Sequence, residues 1–237
     1  MATVKGIIFD YGGTLDSRGD HWSEVLWRGY VEAGAEVDKA AFRDAYVYAE
    51  RELARTRHIL PQHDFRDVLL IKVGIELEYL ANAGNLRCGD STALVQKIAG
   101  YGYDAARHCI EEARGVLETL YARYPLVLVS NFYGNIESVL ADFGISRYFK
   151  TVIESAVVGV RKPDPRIFQL GVEALGLSPE EVLVVGDSYK KDILPAESIG
   201  CRVAWLKGKG WSDDEDAVVH PAIIADLSDV VTFLQQP

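Results

Sequence analysis

Asp10 is the first residue whose surroundings suggest chemistry. It follows the apolar run Val4-Lys5-Gly6-Ile7-Ile8-Phe9 and precedes Gly12-Gly13-Thr14. A carboxylate at such a place can attack phosphorus and form an aspartyl-phosphate. The paired glycines let backbone N–H groups approach phosphoryl oxygens closely. Ser130 and Asp187 also follow apolar runs, and Lys162 lies between them in the chain. The hydroxyls of Thr14 and Ser130 can donate to phosphoryl oxygens, and Lys162 supplies a fixed positive charge for a transferring group. Two carboxylates with a backbone carbonyl and water suit Mg²⁺, which prefers hard oxygen ligands. Without such a cation, Asp10 and a phosphate dianion would repel each other. Taken singly, each residue has a plainer use: Asp10 or Ser130 as a helix cap, Lys162-Pro163 as a surface turn. Their shared order, type and strand position make the pattern specific.

The elements that must position these groups alternate. Residues 4–9, 126–129, 151–153, 182–185, 203–206 and 222–225 read as short strands. Helical patterns separate the later ones, at 110–121, 135–143, 165–175, 193–199 and 228–234, with a Ser178-Pro179-Glu180-Glu181 helix-start signal before the fourth strand. Strict alternation predicts an α/β fold with a doubly wound parallel sheet. In such a sheet, ligands sit beyond the strand carboxyl ends, so Asp10, Ser130 and Asp187 would converge there. From about 17 to 103 no comparable strand occurs. This stretch reads as an inserted helical module, with Asp38 capping a helix whose Phe42, Ala45, Tyr46 and Ala49 share one face. The acidic run Asp213-Asp214-Glu215-Asp216 reads as a solvated loop.

Composition narrows the class of partner. A net charge of −10 argues against a nucleic-acid partner, which needs basic surface. The longest apolar runs are too short for a membrane span. Cys88, Cys109 and Cys201 lie far apart and form no CxxC pair, so they read as buried, inert thiols in a reduced setting. Residues 1–5 lead straight into a strand and not into a secretory leader. A cytoplasmic location is the expectation.

Four motifs follow one another along the chain: Phe9-Asp10-Tyr11-Gly12-Gly13-Thr14-Leu15, Leu128-Val129-Ser130-Asn131, Gly159-Val160-Arg161-Lys162-Pro163-Asp164, and Val185-Gly186-Asp187-Ser188 followed by Asp192. In these four ordered motifs the chain resembles the haloacid dehalogenase (HAD) superfamily. The likeness covers residues 4–15 and about 112–206 closely. It implies a Rossmann-like core from 1–16 and 104–237, and a C1-type helical cap from 17–103. It implies a small phosphorylated substrate and Mg²⁺, with Asp10 as nucleophile. Asp10, the Gly12 carbonyl and Asp187 would hold the metal, and Asp192 would support them by orienting a metal water or Lys162. Gly13, Thr14, Ser130, Asn131 and Lys162 would hold the phosphoryl group.

One position departs from the family pattern. Phosphatases of this family carry a second Asp two residues after the nucleophile, as general acid and base; this chain has Gly12. General acid–base catalysis is worth about 10²–10⁴-fold, so turnover is expected to be slow and not abolished. Asp16, Asp20 and His21 follow closely and are candidate replacements. Three readings result. The first is a slow Mg²⁺-dependent phosphatase. The second is another HAD bond cleavage. A phosphonatase type would need a Schiff-base lysine among Lys39, Lys72 and Lys97, each of which reads as solvated surface. A dehalogenase type would not use the metal, so the presence of Asp187 and Asp192 counts against it. The third is a metal- and phosphate-binding protein, or a phosphoryl switch, without useful turnover.

Overall fold

The computed structural model describes residues 3–86 and 91–234. Six strands form one all-parallel sheet in the order β3-β2-β1-β4-β5-β6. They are β1 (Gly6–Phe9), β2 (Leu126–Ser130), β3 (Thr151–Glu154), β4 (Val182–Gly186), β5 (Arg202–Leu206) and β6 (Ile223–Ile224). The central strands are apolar throughout because both faces are covered. Alternate residues serve opposite layers. Ile7, Phe9, Leu126, Leu128, Leu183 and Val185 join one apolar cluster, while Ile8, Val127, Val129, Val182 and Val184 join another. The second cluster includes Ile167, Phe168 and Val172 of α7 (Arg166–Leu175).

Register brings the reactive strand ends level. Phe9 pairs with Leu128 on one side and Val185 on the other. The Asp10 amide donates to the Val185 carbonyl at 2.9 Å, which carries the ladder one residue further. The chain winds outward from β1 through β2 to β3, then returns to the other side of β1 for β4. That reversal opens a crevice beside Asp10.

Residues between β1 and β2 form α1 (Trp22–Glu32), α2 (Lys39–Arg55), α3 (Phe65–Asn82) and α4 (Ser91–Tyr121). Asp38 caps α2 as its sequence suggests, accepting from the Ala41 amide at 2.9 Å. Asp64 and Asp67 close a capping box on α3. The helix expected at 110–121 begins at Ser91 and runs unbroken through residues 103 and 104. Its Ile98 and Ala99 share an apolar cluster with α1 and α3 residues, and its Ile110, Ala113 and Leu117 belong to that cluster together with β1 and β2.

Several local expectations need correction. Pro179–Glu181 forms a single 3-10 turn, because β4 starts at Val182 and leaves no room to propagate. The helix expected at 193–199 starts earlier, as a π-helical turn over Tyr189–Ile193, and continues as α8 (Leu194–Ser198). The acidic run is no loop: Asp213–Asp216 forms α9, and Asp216 accepts from Lys209 Nζ and from the Gly210 amide. A short α6 (Ser155–Val158) follows β3, α5 (Ile136–Asp142) follows β2, and α10 (Asp229–Phe233) follows β6. Cys201 is buried but Cys109 is only half-buried, and Cys88 lies outside the described residues. No helix among the described residues is long and apolar enough to cross a membrane.

The buried stripe of α3 contains two ionisable residues, Lys72 and Glu76, among Phe65, Val68, Leu69, Val73, Leu77 and Leu80. Tyr30 donates to Glu76 Oε2 at 3.0 Å, while Oε1 has no partner among the described residues. Burial pushes the Glu76 carboxyl up to about 7, against the opposing pull of Lys72 and Tyr30. In the unfolded chain its ordinary value is 4.5, so the native state holds the proton longer. The contribution is therefore complete below about 4.5 and is lost as pH rises towards about 7. Glu76→Gln should flatten the fall in stability over this window, by on the order of 3 kcal/mol. Urea melts between pH 4.5 and 7.5 measure this; superimposable pH profiles for the two proteins would refute it.

Candidate active site

Four connections meet at the carboxyl ends of the central strands. β1 delivers Asp10, β2 delivers Ser130 and then Asn131, the loop before α7 delivers Lys162, and β4 delivers Asp187. Asp192 comes from the π-helical turn, where its Oδ2 accepts from the Ser188 amide at 3.0 Å. The Lys162 ammonium, 4 % exposed, lies 2.7 Å from Asp10 Oδ1 and 2.6 Å from Asp192 Oδ1. Burial alone would lower the Lys162 pKa, but Asp10 and Asp192 outweigh it and raise it.

Asp10, Asp187 and Asp192 each place a carboxylate oxygen within 4.8 Å of the others. Desolvation and the neighbouring charges of Asp192 and Asp10 drive Asp187 well above the usual carboxylate range. Asp192 is raised as well, by burial first and by Asp10, against the pull of Lys162. One ammonium among three carboxylates leaves the site short of positive charge. An all-oxygen donor set with that deficit fits a hard divalent cation. Two glycines permit the crowding. Gly13 takes φ +97°, and a Cβ on it would lie 2.3 Å from the Asp187 carboxyl carbon. A Cβ on Gly186 would lie 2.5 Å from that of Asp192.

The structure gathers the other expected phosphate-binding residues, with different partners for some. Ser130 and Lys162 line the cavity. Asn131 also reaches its wall, but its side-chain amide clamps the Lys162 backbone, accepting from Lys162 N at 2.9 Å and donating to Lys162 O at 3.1 Å. Thr14 is buried behind the wall and donates to Asp187 Oδ1 at 3.1 Å. The Gly13 amide donates to Asp16 Oδ1 at 2.7 Å. In this geometry Thr14 and Asn131 orient Asp187 and Lys162.

The replacement acids divide. Asp16 is buried at the cavity wall and accepts from Trp22 Nε1 at 2.9 Å as well as from Gly13. Burial pushes its carboxyl up to about 8, with Asp10 acting in the same direction and the two hydrogen bonds opposing. Asp20 ties Arg28 and the Lys209 amide together. His21 faces the cavity but caps α1, accepting from the Ser23 amide at 3.2 Å, and burial lowers it to about 3. It is therefore a neutral ring at neutral pH.

The cavity has a volume of about 900 Å³ and lies between the strand ends and the helical insertion. From the insertion it takes His21, Trp22, Tyr46, Glu50, Arg55 and Lys72, among others. The expectation that Lys72 is a solvated surface residue is wrong. It is 5 % exposed, paired with Glu50, and sits 4.0 Å above the Tyr46 ring. Burial would lower its pKa, but Glu50 more than offsets this, so it is held as an ammonium. Lys39 is a surface residue paired with Glu24, and Lys97 is exposed. Glu50 and Tyr133 went unsuspected in the sequence. The available signal was the helical spacing of Phe65, Leu69, Lys72, Glu76 and Leu80, which puts Lys72 on a buried face.

Comparison with known proteins agrees with this geometry. Residues 4–200 match the family description of haloacid dehalogenase-like hydrolases. A phosphoserine phosphatase from Thermus thermophilus is 32% identical over 106 residues, which is 44% of this chain and 42% of that protein. This chain thus spans less than half the length of that curated relative. Two solved structures share the fold. YfnB from Bacillus subtilis, assigned as a HAD-hydrolase and bound to magnesium, has a TM-score of 0.61 at 19% identity, over 99% of this chain and all of that one. A dehalogenase in an intermediate complex has a TM-score of 0.67 at 18% identity, over the whole of both chains. The motifs, the parallel sheet and the family match over residues 4–200 together place the chain among the haloacid dehalogenase-like hydrolases.

Proposed function

We propose that the protein is a slow, Mg²⁺-dependent hydrolase of a small phosphomonoester, acting through an aspartyl-phosphate on Asp10. The observation that carries this is the Asp10 carboxylate, 2.7 Å from the Lys162 ammonium and beside Asp187 and Asp192 on the wall of the cavity. The phosphatase relative supports a phosphorylated substrate. Residues 1–16 and 104–237 serve as the core in this reading, and 17–103 as the cap that closes over it. The interdomain movement described for YfnB is a precedent for such closure.

An Asp10 oxygen attacks phosphorus in line with the ester oxygen. The new O–P bond forms on Asp10 as the bond from phosphorus to the alcohol oxygen breaks, and that oxygen leaves with the electron pair and takes its proton from water. Lys162 stays beside the transferring oxygens, and Ser130 donates to them. Asp10, the Gly12 carbonyl and Asp187 would hold Mg²⁺, which would offset the charge of the dianion against Asp10. Asp192 fixes Lys162 from the other side. Water then hydrolyses the acyl phosphate. Both half-reactions lack the usual helper at position 12. A Schiff-base route is disfavoured because Lys72 is held protonated and is no nucleophile.

Asp10→Asn should reduce Mg²⁺-dependent phosphate release to background while leaving the melting temperature within a few degrees. Turnover surviving in that variant would remove Asp10 as nucleophile. Gly12 offers a sharper test, because a Cβ built on it meets nothing within 4 Å. Gly12→Asp should therefore be tolerated and should raise kcat for alkyl phosphates by about 10²–10⁴-fold, with a much smaller gain for aryl phosphates. Steady-state kinetics on both ester classes reads this directly. Equal gains, or none, would mean that the missing acid is not what limits the reaction.

A further inference from the structure

The insertion side of the cavity carries a polar constellation that the reaction at Asp10 does not use. Glu50 comes from α2, Lys72 from α3 and Tyr133 from the loop after β2. Glu50 Oε1 accepts from both Lys72 Nζ and Tyr133 OH, the latter at 3.1 Å. The Tyr46 ring backs the ammonium. All four residues line the cavity.

Packing alone gives no reason for this arrangement. Lys72 occupies a buried helical stripe, where an apolar side chain of similar volume is often as stable as a buried ion pair. The pair is also incompletely used. Its two hydrogen bonds fall on one Glu50 oxygen, and among the described residues Oε2 has no protein donor. The Glu50 side chain lines the cavity and is 40% exposed, so it is open to a ligand there. The ammonium has three N–H groups and Glu50 accepts from one, which leaves a donor beside a free acceptor.

We infer that Glu50 and Lys72 read the leaving group, selecting a phosphomonoester whose alcohol carries a hydrogen-bond donor and an acceptor side by side. Glu50 Oε2 accepts from the donor, and Lys72 Nζ donates to the acceptor. The pair is neutral overall, so a ligand bearing a single charge meets a like charge as well as an opposite one. A ligand bearing both groups satisfies both residues. The ammonium and carboxylate of an amino acid meet this requirement, as do two neighbouring hydroxyls.

This inference rests on Asp10 as the phosphoryl acceptor, so its test separates binding from turnover. O-phospho-L-serine, glycerol phosphate and phenyl phosphate are titrated with Mg²⁺ onto Asp10→Asn protein by calorimetry, with and without Lys72→Met. The two polar esters should bind more tightly than phenyl phosphate. Lys72→Met should weaken at least one of them by roughly 10–100-fold and leave phenyl phosphate within about twofold. Glu50→Gln, which keeps an acceptor for Tyr133, should weaken phosphoserine more than glycerol phosphate if the ammonium is what Glu50 reads; the reverse order assigns the pair to hydroxyls. In otherwise wild-type enzyme the same variants should raise KM for the polar ester with kcat changed less than about threefold. Equal affinity for all three esters, no binding of either polar ester, or a uniform loss across all three on Lys72→Met would overturn the inference. Residual turnover in Asp10→Asn would instead overturn the mechanism and leave the binding result standing. Melting temperatures of each variant identify any loss that comes from unfolding.

Discussion

Three carboxylates share one ammonium at the head of the sheet, and much of the site follows from that shortage. At an effective dielectric of about 20, each ionised pair among Asp10, Asp187 and Asp192, whose oxygens lie within 4.8 Å of one another, repels by about 3.5 kcal/mol or more. Lys162 touches two of the three and offsets part of this. Its ammonium must therefore be held in place, and Asn131 does so by gripping the Lys162 peptide at both ends. Thr14 supplies a hydrogen bond to Asp187, and the Trp205 indole anchors the Asp187 carbonyl at 2.7 Å. Gly13 and Gly186 are needed because any side chain there would overlap the carboxylates. The unmet charge is the physical reason a divalent cation fits.

Much of this arrangement is legible in the sequence. A run such as residues 182–185, short, rich in β-branched residues and apolar at every position with Gly186 after it, suits a strand covered on both faces. Once the strands are parallel, the residues following them must gather at one edge of the sheet. That logic found Asp10, Ser130 and Asp187 without the structure. It could not find what the side chains do to one another. Asn131 and Thr14 carry groups that suit phosphate, yet these bind Lys162 and Asp187, because hydrogen-bond partners depend on the third dimension. The continuity of α4 was hidden for a related reason. Its Gly100 and Gly102 weaken local helix propensity, while the packing of Ile98 and Gly102 against neighbouring helices maintains the helix.

The helical insertion shows where periodicity is most useful. Phe42, Ala45, Tyr46 and Ala49 are apolar or aromatic at helical spacing, and all four are buried. On α3 the same spacing passes through Lys72 and Glu76, and the polarity of these residues concealed their position on the buried face. A charged residue on a stripe whose neighbours are all apolar is costly to bury, so its presence invites a search for a partner. Here the partners are Glu50 for Lys72 and Tyr30 for Glu76, from two other helices of the insertion. The first pair faces the cavity; the second lies behind it.

Gly12 connects the two ends of the cavity. In the proposed reaction, with no acid at that position, expulsion of the alcohol would depend on how well the alcohol carries negative charge. Asp16 could hold a proton nearby, but both its oxygens already accept from Gly13 and Trp22, and releasing either would disturb the loop next to Asp10. An electron-withdrawing group beside the ester carbon lowers the need for protonation. An ammonium or a second hydroxyl is such a group, and it is also what a free Glu50 oxygen beside Lys72 is suited to hold. Recognition at Glu50 and Lys72 would then do more than choose a substrate. It would admit esters whose own chemistry compensates for the missing carboxyl. On this account Gly12 and the buried pair in the insertion belong to one solution: without a general acid at position 12, the proposed reaction would favour the leaving groups that need one least, and the pair would select them.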